Sequence, residues 1–524
     1  MAEGHNNQLL FTIVALTAPF FLVIASALLW TLTIPGGSAP WLAWVALVPA
    51  LIVLRNRAPG SAFLYGYLWG ASYFLIGFSW IIEVGGVRWY DYLAMGLYLG
   101  LYLALFAMFC GYLARSVIPL QRLVFLPALW VAMEFAWSHA GVLALPIAGI
   151  GYSQYQHPVL LQIVSLTGAY GVSFLVVMVN VLLAELIVQR RMLWSPVLLT
   201  GGLLGSTLLF GMWTLNQSVP AGSLNVSVIQ ANIPQGLKWQ PEYYADHLEE
   251  HVDLTREALA NGEPDLVIWP ESAVPGYPTD LNAPFREVET LARELERYLL
   301  VGGSRLPKSA EDRRQGLSLN MAYLISPDGK VTGQYAKHRL VPFSEYVPKR
   351  DSLPWPERFT RNRGSFIPGQ ELSIFEVDGQ RFGTTICWET VFANLVRKFA
   401  LNGADFMVNI GNEAWFGDTV APHQFFAANV FRAVENRMSM ARSLNSGVSG
   451  FIDPYGRILA TVRERGRETF ISGHATAALP VTPERTFYTR YGDVFAYSVL
   501  LLVLGYFSYG ILNRRRKTGL RAET

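Results

Sequence analysis

Cys387 is the first residue in this chain to suggest chemistry. The chain's other cysteine, Cys110, lies in an apolar stretch, so no intrachain disulfide is expected and Cys387 is either buried filler or a working thiol. It ends a β-rich run at 381–386 and precedes a helical pattern near 390–400. A thiol at a helix start feels the unpaired backbone N–H groups, which favours the nucleophilic thiolate. Attack on a carbonyl then needs a carboxylate to take and return the proton, and a cation to hold the oxyanion. Glu271 and Lys337 suit those needs, with the backbone N–H of Trp388 as a second oxyanion donor. Spacing alone does not single them out from many charged residues, most of which belong on a solvated surface.

The elements that must position these groups alternate. Residues 224–230 read as a strand, 243–260 as an amphipathic helix and 265–269 as a strand. A helical pattern from Phe285 to Tyr298 leads into an apolar run at 299–303. Hairpins follow around Pro327-Asp328-Gly329 and Asp378-Gly379. A helix near 390–400, a strand at 404–410, a helix near 422–442 and a hairpin around 453–456 complete the pattern. This order predicts a layered α/β domain, in which strand ends gather functional side chains. Glu271, Lys337 and Cys387 all follow predicted strands.

That domain is only part of the chain. The composition is 52% hydrophobic and 15% charged over 524 residues, too oily for an ordinary soluble enzyme. Before residue 220 the only basic residues are Arg55, Arg57, Arg88, Arg115, Arg122, Arg190 and Arg191, and the only acidic ones Glu3, Glu83, Asp91, Glu134 and Glu185. Apolar stretches near 9–30, 40–54, 62–83, 92–114, 119–138, 158–189, 193–214 and 493–512 predict eight spans, given that about 20 residues cross a bilayer. The first ten residues lack Lys and Arg, so an uncleaved anchor is favoured over a signal peptide. Arg55 and Arg57, Arg115 and Arg122, Arg190 and Arg191, and the tail Arg514 to Lys517 fall in alternate loops, which places both termini in the cytoplasm and the charged domain outside. The expected division is a seven-span bundle at 1–220, an extracytoplasmic domain at 221–490, and a last span with a basic tail at 491–524. Glu83, Glu134 and Glu185 lie in or beside spans, where ionisable groups mark either a pathway or interfacial snorkelling. A net charge of +2 and the lack of a basic-aromatic motif argue against nucleic acid.

Three blocks then carry a resemblance: Trp269-Pro270-Glu271-Ser272; Tyr335-x-Lys337 leading through Leu340-Val341-Pro342-Phe343-x-Glu345-Tyr346-x-Pro348; and Ile386-Cys387-Trp388-Glu389. Together they resemble the Glu-Lys-Cys enzymes of the nitrilase, or carbon-nitrogen hydrolase, superfamily. The extended middle block and the flanking spans resemble its membrane-embedded branch, the apolipoprotein N-acyltransferases of bacterial envelopes. The resemblance implies a multi-pass protein of the bacterial inner membrane whose catalytic domain, an αββα sandwich, lies on the periplasmic side. It also implies transfer of an acyl chain from a membrane phospholipid, through a thioester, to the diacylglyceryl-cysteine of an apolipoprotein. By carry-over Cys387 is the nucleophile, Glu271 the acid and base, and Lys337 the stabiliser of the tetrahedral intermediate. Glu345, Glu389 and Trp388 are implied as supporting residues, and Trp239, Asn412 and Trp415 as substrate contacts. No cofactor or metal is implied, and a monomer is expected. The chain departs from many relatives in carrying Trp388 for tyrosine, Glu413 for aspartate and Ile147 for tryptophan.

Other readings have their own residues. His247-Leu248-Glu249-Glu250-His251 fits a zinc-peptidase pattern, although no third ligand is evident and an exposed amphipathic helix collects such residues. A membrane-anchored amidase would use the same Glu-Lys-Cys set with water as acceptor, and a transporter or receptor would not need the thiol at all. Residues 346–368, rich in Pro and charge, read as a lid or a plain surface loop.

Overall fold

The computed structural model describes residues 2–113, 118–217, 222–274, 283–350, 352–354, 357, 366–482 and 484–522. The chain forms two compact units, Met1–Thr214 with Asp493–Thr524, and Leu215–Gly492.

The first unit is helical: α1 (Ala2–Thr31), α2 (Val48–Leu54), α3 (Pro59–Gly77), α4 (Trp89–Leu113), α5 (Pro119–Ser138), α6 (Ala169–Gln189), α7 (Trp194–Leu215) and a closing helix, Val494–Ala522. Among the described residues four of these, α4 to α7, are long and apolar enough to cross a membrane, against the eight expected. Two of the eight expected apolar stretches are broken by backbone geometry. Residues 40–54 divide into a 3-10 turn, Pro40–Trp44, and the seven-residue α2. Residues 158–189 form two short turns, after which Gly168 at φ 63° redirects the chain into α6. Hydropathy does not register such breaks, because the residues in them are apolar too.

Glycine sets the closest helix pairing. A Cβ on Gly66 of α3 would stand 2.3 Å from that of Ala107 on α4, and one on Gly70 would stand 2.6 Å from that of Leu103. Small residues four apart let two backbones approach where no water drives association. Glu185 accepts from Arg55 Nε and Nη2, both at 2.9 Å, and from Arg122 Nη1 at 3.0 Å. Arg55 and Arg122 therefore lie at one end of the bundle, whereas Arg115 falls outside the described residues. Glu134 takes neutral donors, among them Trp130 Nε1 at 2.7 Å and Ile150 N at 2.9 Å, and so caps the buried turn Ile150–Gln154. Glu83 is exposed.

The second unit contains two six-stranded sheets. The first runs β12-β1-β2-β3-β4-β5, with β1 (Gly222–Gln230), β2 (Leu266–Ile268), β3 (Tyr298–Arg305), β4 (Leu319–Ile325), β5 (Val331–Ala336) and β12 (Gly473–Val481). The second runs β11-β10-β9-β8-β7-β6, with β6 (Ile374–Val377), β7 (Gln380–Ile386), β8 (Phe406–Gly411), β9 (Ser439–Leu444), β10 (Gly450–Ile452) and β11 (Ile458–Thr461). Each sheet has three parallel central strands, β1-β2-β3 and β7-β8-β9, with antiparallel neighbours. The sheets face each other, for Ser443 Oγ of β9 lies 2.8 and 2.9 Å from the Ile229 and Ile268 carbonyl oxygens. Helices α8 (Tyr244–Ala260) and α9 (Ala283–Leu295) bury Leu248, Val252, Val288 and Leu291 against Val267, Val301 and Met321 of the first sheet. Helices α10 (Ala393–Leu401) and α11 (Ala421–Asn436) cover the second, where Phe399 fills the space above Gly383. The result is the expected αββα sandwich.

One expected element is different. The helix near 422–442 ends at Asn436, because Arg437 adopts a left-handed conformation at φ 51°, and Ser439–Leu444 is the buried strand β9. Its residues favour a helix locally, but the position between β8 and β10 decides otherwise, since a strand buried on both faces shows no alternation. Strand β12, with its small and polar residues, was not among the expected elements.

Candidate active site

Lys337 and Cys387 follow β5 and β7 directly and Glu271 sits in the turn after β2, so both sheets contribute to one cluster. The turn carrying Glu271 lies flat on β3. A Cβ on Gly302 would meet Pro270 O at 2.5 Å, Ser272 N at 2.6 Å and Glu271 Cα at 2.7 Å, so no side chain fits there. Ser272 takes a left-handed φ of 52° to turn the chain, and Val274 N donates to Gly302 O at 3.0 Å. Cys387 is likewise left-handed, at φ 57°, and a Cβ on Gly411 would stand 3.3 Å from its Cα. A non-glycine residue pays for that conformation only where its surroundings enforce it. Asn409 does so from β8, donating to Cys387 O at 3.1 Å and Thr385 O at 3.2 Å, while Arg442 Nε holds Asn409 Oδ1 at 3.0 Å and its Nη2 pairs with Glu413.

Lys337 is fully buried between two carboxylates. Its Nζ lies 2.8 Å from Glu345 Oε1 and 3.4 Å from Glu271 Oε1. Burial alone would pull the ammonium down, but Glu271 and Glu345 outweigh it and hold the proton well above the ordinary lysine range. Glu345 also accepts from Val341 N at 2.7 Å, which curls the 341–345 loop onto the lysine.

The thiol departs from expectation. Burial, and after it the charge of Glu271, push Cys387 well above the usual thiol range. Lys337 pulls down, and Glu345 and Glu413 add to the rise. The predicted helix start is a five-residue 3-10 turn, Cys387–Val391, whose small dipole is outweighed by three carboxylates. The resting group is therefore held as a thiol rather than the expected thiolate.

Glu389 does not touch Lys337. Its buried carboxylate accepts from Tyr335 Oη at 2.9 Å, His338 N at 2.7 Å, Arg339 N at 2.8 Å and Ile386 N at 2.8 Å, which ties the lysine strand to the cysteine turn. Burial pushes it up to about 7 against the backbone donors of Ile386, Arg339 and His338.

A family model for the carbon-nitrogen hydrolases matches residues 225–477, and one for the apolipoprotein N-acyltransferase N-terminal domain matches residues 26–182. An apolipoprotein N-acyltransferase of Geobacter metallireducens is 34% identical over 91% of this chain and 92% of its own length. The chain belongs to the apolipoprotein N-acyltransferase family. It is an acyltransferase of lipoprotein maturation with a nitrilase-like domain. Relatives of the same name from Methylococcus capsulatus, at 32% identity over 89% of this chain and 92% of theirs, and Pasteurella multocida, at 29% over 95% and 96%, are similar over most of their length.

The remaining residues singled out in the sequence take the following positions. Trp388, at the tyrosine position, keeps a polar contact because its indole N–H donates to Arg339 O. Asn412 is buried, donating to Gln235 Oε1 at 2.8 Å and accepting from Asn445 at 3.1 Å, so it anchors the arm that bears Trp239. Trp239 is half exposed and lines a pocket with Lys238, Tyr244, His247, His251 and Ser272, and Trp415 is also partly exposed. His251 of the zinc-like pattern is buried, with Nδ1 2.6 Å from the His247 carbonyl, and burial pushes it down to about 3. Among the described residues no group of three or more potential ligands could hold a metal ion. Of the 346–368 segment, residues 351, 355–356 and 358–365 lie outside the described residues. Sequence reasoning missed two groups. Lys238, buried, donates to Glu271 O at 3.1 Å, and burial pushes it down to about 8. Asn320 donates to Glu271 Oε1 at 2.6 Å. Neither carries a local signal, since strand pairing and loop packing bring them in.

Proposed function

We propose that this enzyme N-acylates the diacylglyceryl-cysteine of lipoproteins in two half-reactions through a thioester on Cys387, with a membrane phospholipid as donor. The observation that carries the reading is the buried Glu271–Lys337–Glu345 cluster, whose charges all act on the Cys387 thiol. Glu271 takes the Sγ proton as the thiolate attacks the ester carbonyl, and Lys337 with Trp388 N–H stabilises the oxyanion. Collapse breaks the ester C–O bond, the lysophospholipid leaves with the proton from Glu271, and the acyl group stays on sulfur. The lipoprotein α-amine attacks next, losing its proton to Glu271. Collapse breaks the C–S bond, and the thiolate takes the proton back.

Lipid substrates account for the apolar helices. Exposing a C16 chain to water would cost roughly 12 kcal/mol, at about 0.8 per CH₂, so the acyl group must be passed at a lipid–water boundary. The arginine pattern supports a catalytic unit on the periplasmic side of the inner membrane. The competing reading is hydrolysis, with water resolving the same thioester. Incubation with phospholipid vesicles and a synthetic diacylglyceryl-cysteine peptide separates them. N-acyl peptide and lysophospholipid in equal amounts, unaffected by chelator, are expected; free fatty acid with unmodified peptide would exclude the transfer.

A further inference from the structure

The carboxylate of Glu271 is held on one side only. Asn320 Nδ2 lies 2.6 Å from Oε1 and Lys337 Nζ lies 3.4 Å from the same oxygen, while among the described residues nothing donates to Oε2. Asn320 Nδ2 is also 3.4 Å from Glu345 Oε1, so the amide nitrogen faces two carboxylates. Turning the amide over would set its carbonyl oxygen against two anionic oxygens, which fixes its orientation. Strand pairing holds it there, because Asn320 is in β4 and its own carbonyl accepts from Lys337 N at 2.9 Å. The other end of the amide, Oδ1, is buried without a partner among the described residues. An orphaned buried acceptor destabilises a fold and an apolar side chain would avoid it, so stability does not account for an asparagine here.

We infer that Asn320 is a positioning residue that pins Glu271 Oε1, so that Oε2 is the oxygen that takes and returns the proton. The inference rests on the reading of Glu271 as the acid and base and specifies its working atom. Protonating Oε1 would break contacts to two donors; protonating Oε2 breaks none. A base used in both half-reactions must present the same lone pair to a thiol and then to an amine, and a fixed carboxylate plane does so. Asparagine is also the fitting donor by charge. Two carboxylates already share one lysine, and a neutral N–H supports their ionised form without adding a second cation to compete for the oxyanion.

The test uses full-length enzyme in lipid nanodiscs with phospholipid and the diacylglyceryl peptide, comparing Asn320→Ala, the near-isosteric Asn320→Asp and Glu271→Gln. Asn320→Ala should lower kcat/KM roughly 10- to 100-fold, mainly through kcat, as part of the contribution of a general base. It should also move the acid limb of the kcat/KM profile upward by about one pH unit, because the cluster takes up a proton more readily without its donor. Asn320→Asp, which adds a negative charge, should move it further. A wild-type rate, or a loss of rate with the limb unmoved in both variants, would overturn the inference. Activity retained in Glu271→Gln would overturn the reading beneath it, whereas an inactive Glu271→Gln beside a wild-type Asn320→Ala would refute the inference alone.

Discussion

The two units bury charge in opposite ways. In the helical unit one carboxylate, Glu185, receives two arginines; in the α/β unit one ammonium, Lys337, receives two carboxylates. The first arrangement is closed, since Arg55 spends Nε and Nη2 on Glu185 and Gln189 also donates to it at 2.9 Å. The second is left open at Glu271 Oε2, beside a thiol that burial, and after it three carboxylates, push above the usual thiol range. Buried ion pairs alone are therefore no sign of catalysis. In the proposed reaction it is the free lone pair beside the thiol that sets the α/β cluster to work.

Breaking the open cluster should have the larger effect on the reaction. Lys337→Met removes the proposed oxyanion cation and leaves Glu271 and Glu345 facing each other, so single-turnover acylation should slow at least about a thousandfold. Breaking the closed cluster should act on stability. Glu185→Gln leaves two arginines without their carboxylate, so thermal unfolding in detergent should report a loss of about 3 kcal/mol, while turnover per folded molecule stays within about twofold. The thiol's environment gives a finer contrast. Alkylation of Cys387 by iodoacetamide should be slow at neutral pH and rise as pH rises, because the group is held protonated. Glu413→Gln, which removes one negative neighbour, should speed it by up to about tenfold at fixed pH, and no change would contradict the charge argument. The smallest effect belongs to Trp388→Phe, which loses the hydrogen bond to Arg339 O and should cost about 1 kcal/mol of stability in chemical denaturation.

What the sequence revealed, and what it hid, divides by the range of the interactions involved. Cys387 could be read because a strand, a turn and a lone thiol are local features, and the Asp378-Gly379 hairpin because its turn needs positive φ at both residues. Glu271 and Lys337 became legible only through the blocks around them, since their spacing of 66 positions has no local meaning. Strand β9 was hidden because Arg442, inside it, resembles a surface helix residue until Glu413 and Asn409 pair with it. Asn320 was hidden for a similar reason, because its partners come from the turn after β2 and from the loop after β5. The breaks at Gly168 and after Trp44 escaped hydropathy because they interrupt the backbone without adding charge.

Mass spectrometry of the Cys387 peptide tests the central claim most directly. Full-length enzyme given phospholipid and no acceptor should carry one acyl mass on that peptide, labile to hydroxylamine and lost when the diacylglyceryl peptide is added. An unmodified Cys387 in enzyme that goes on to transfer acyl chains at the normal rate would contradict it.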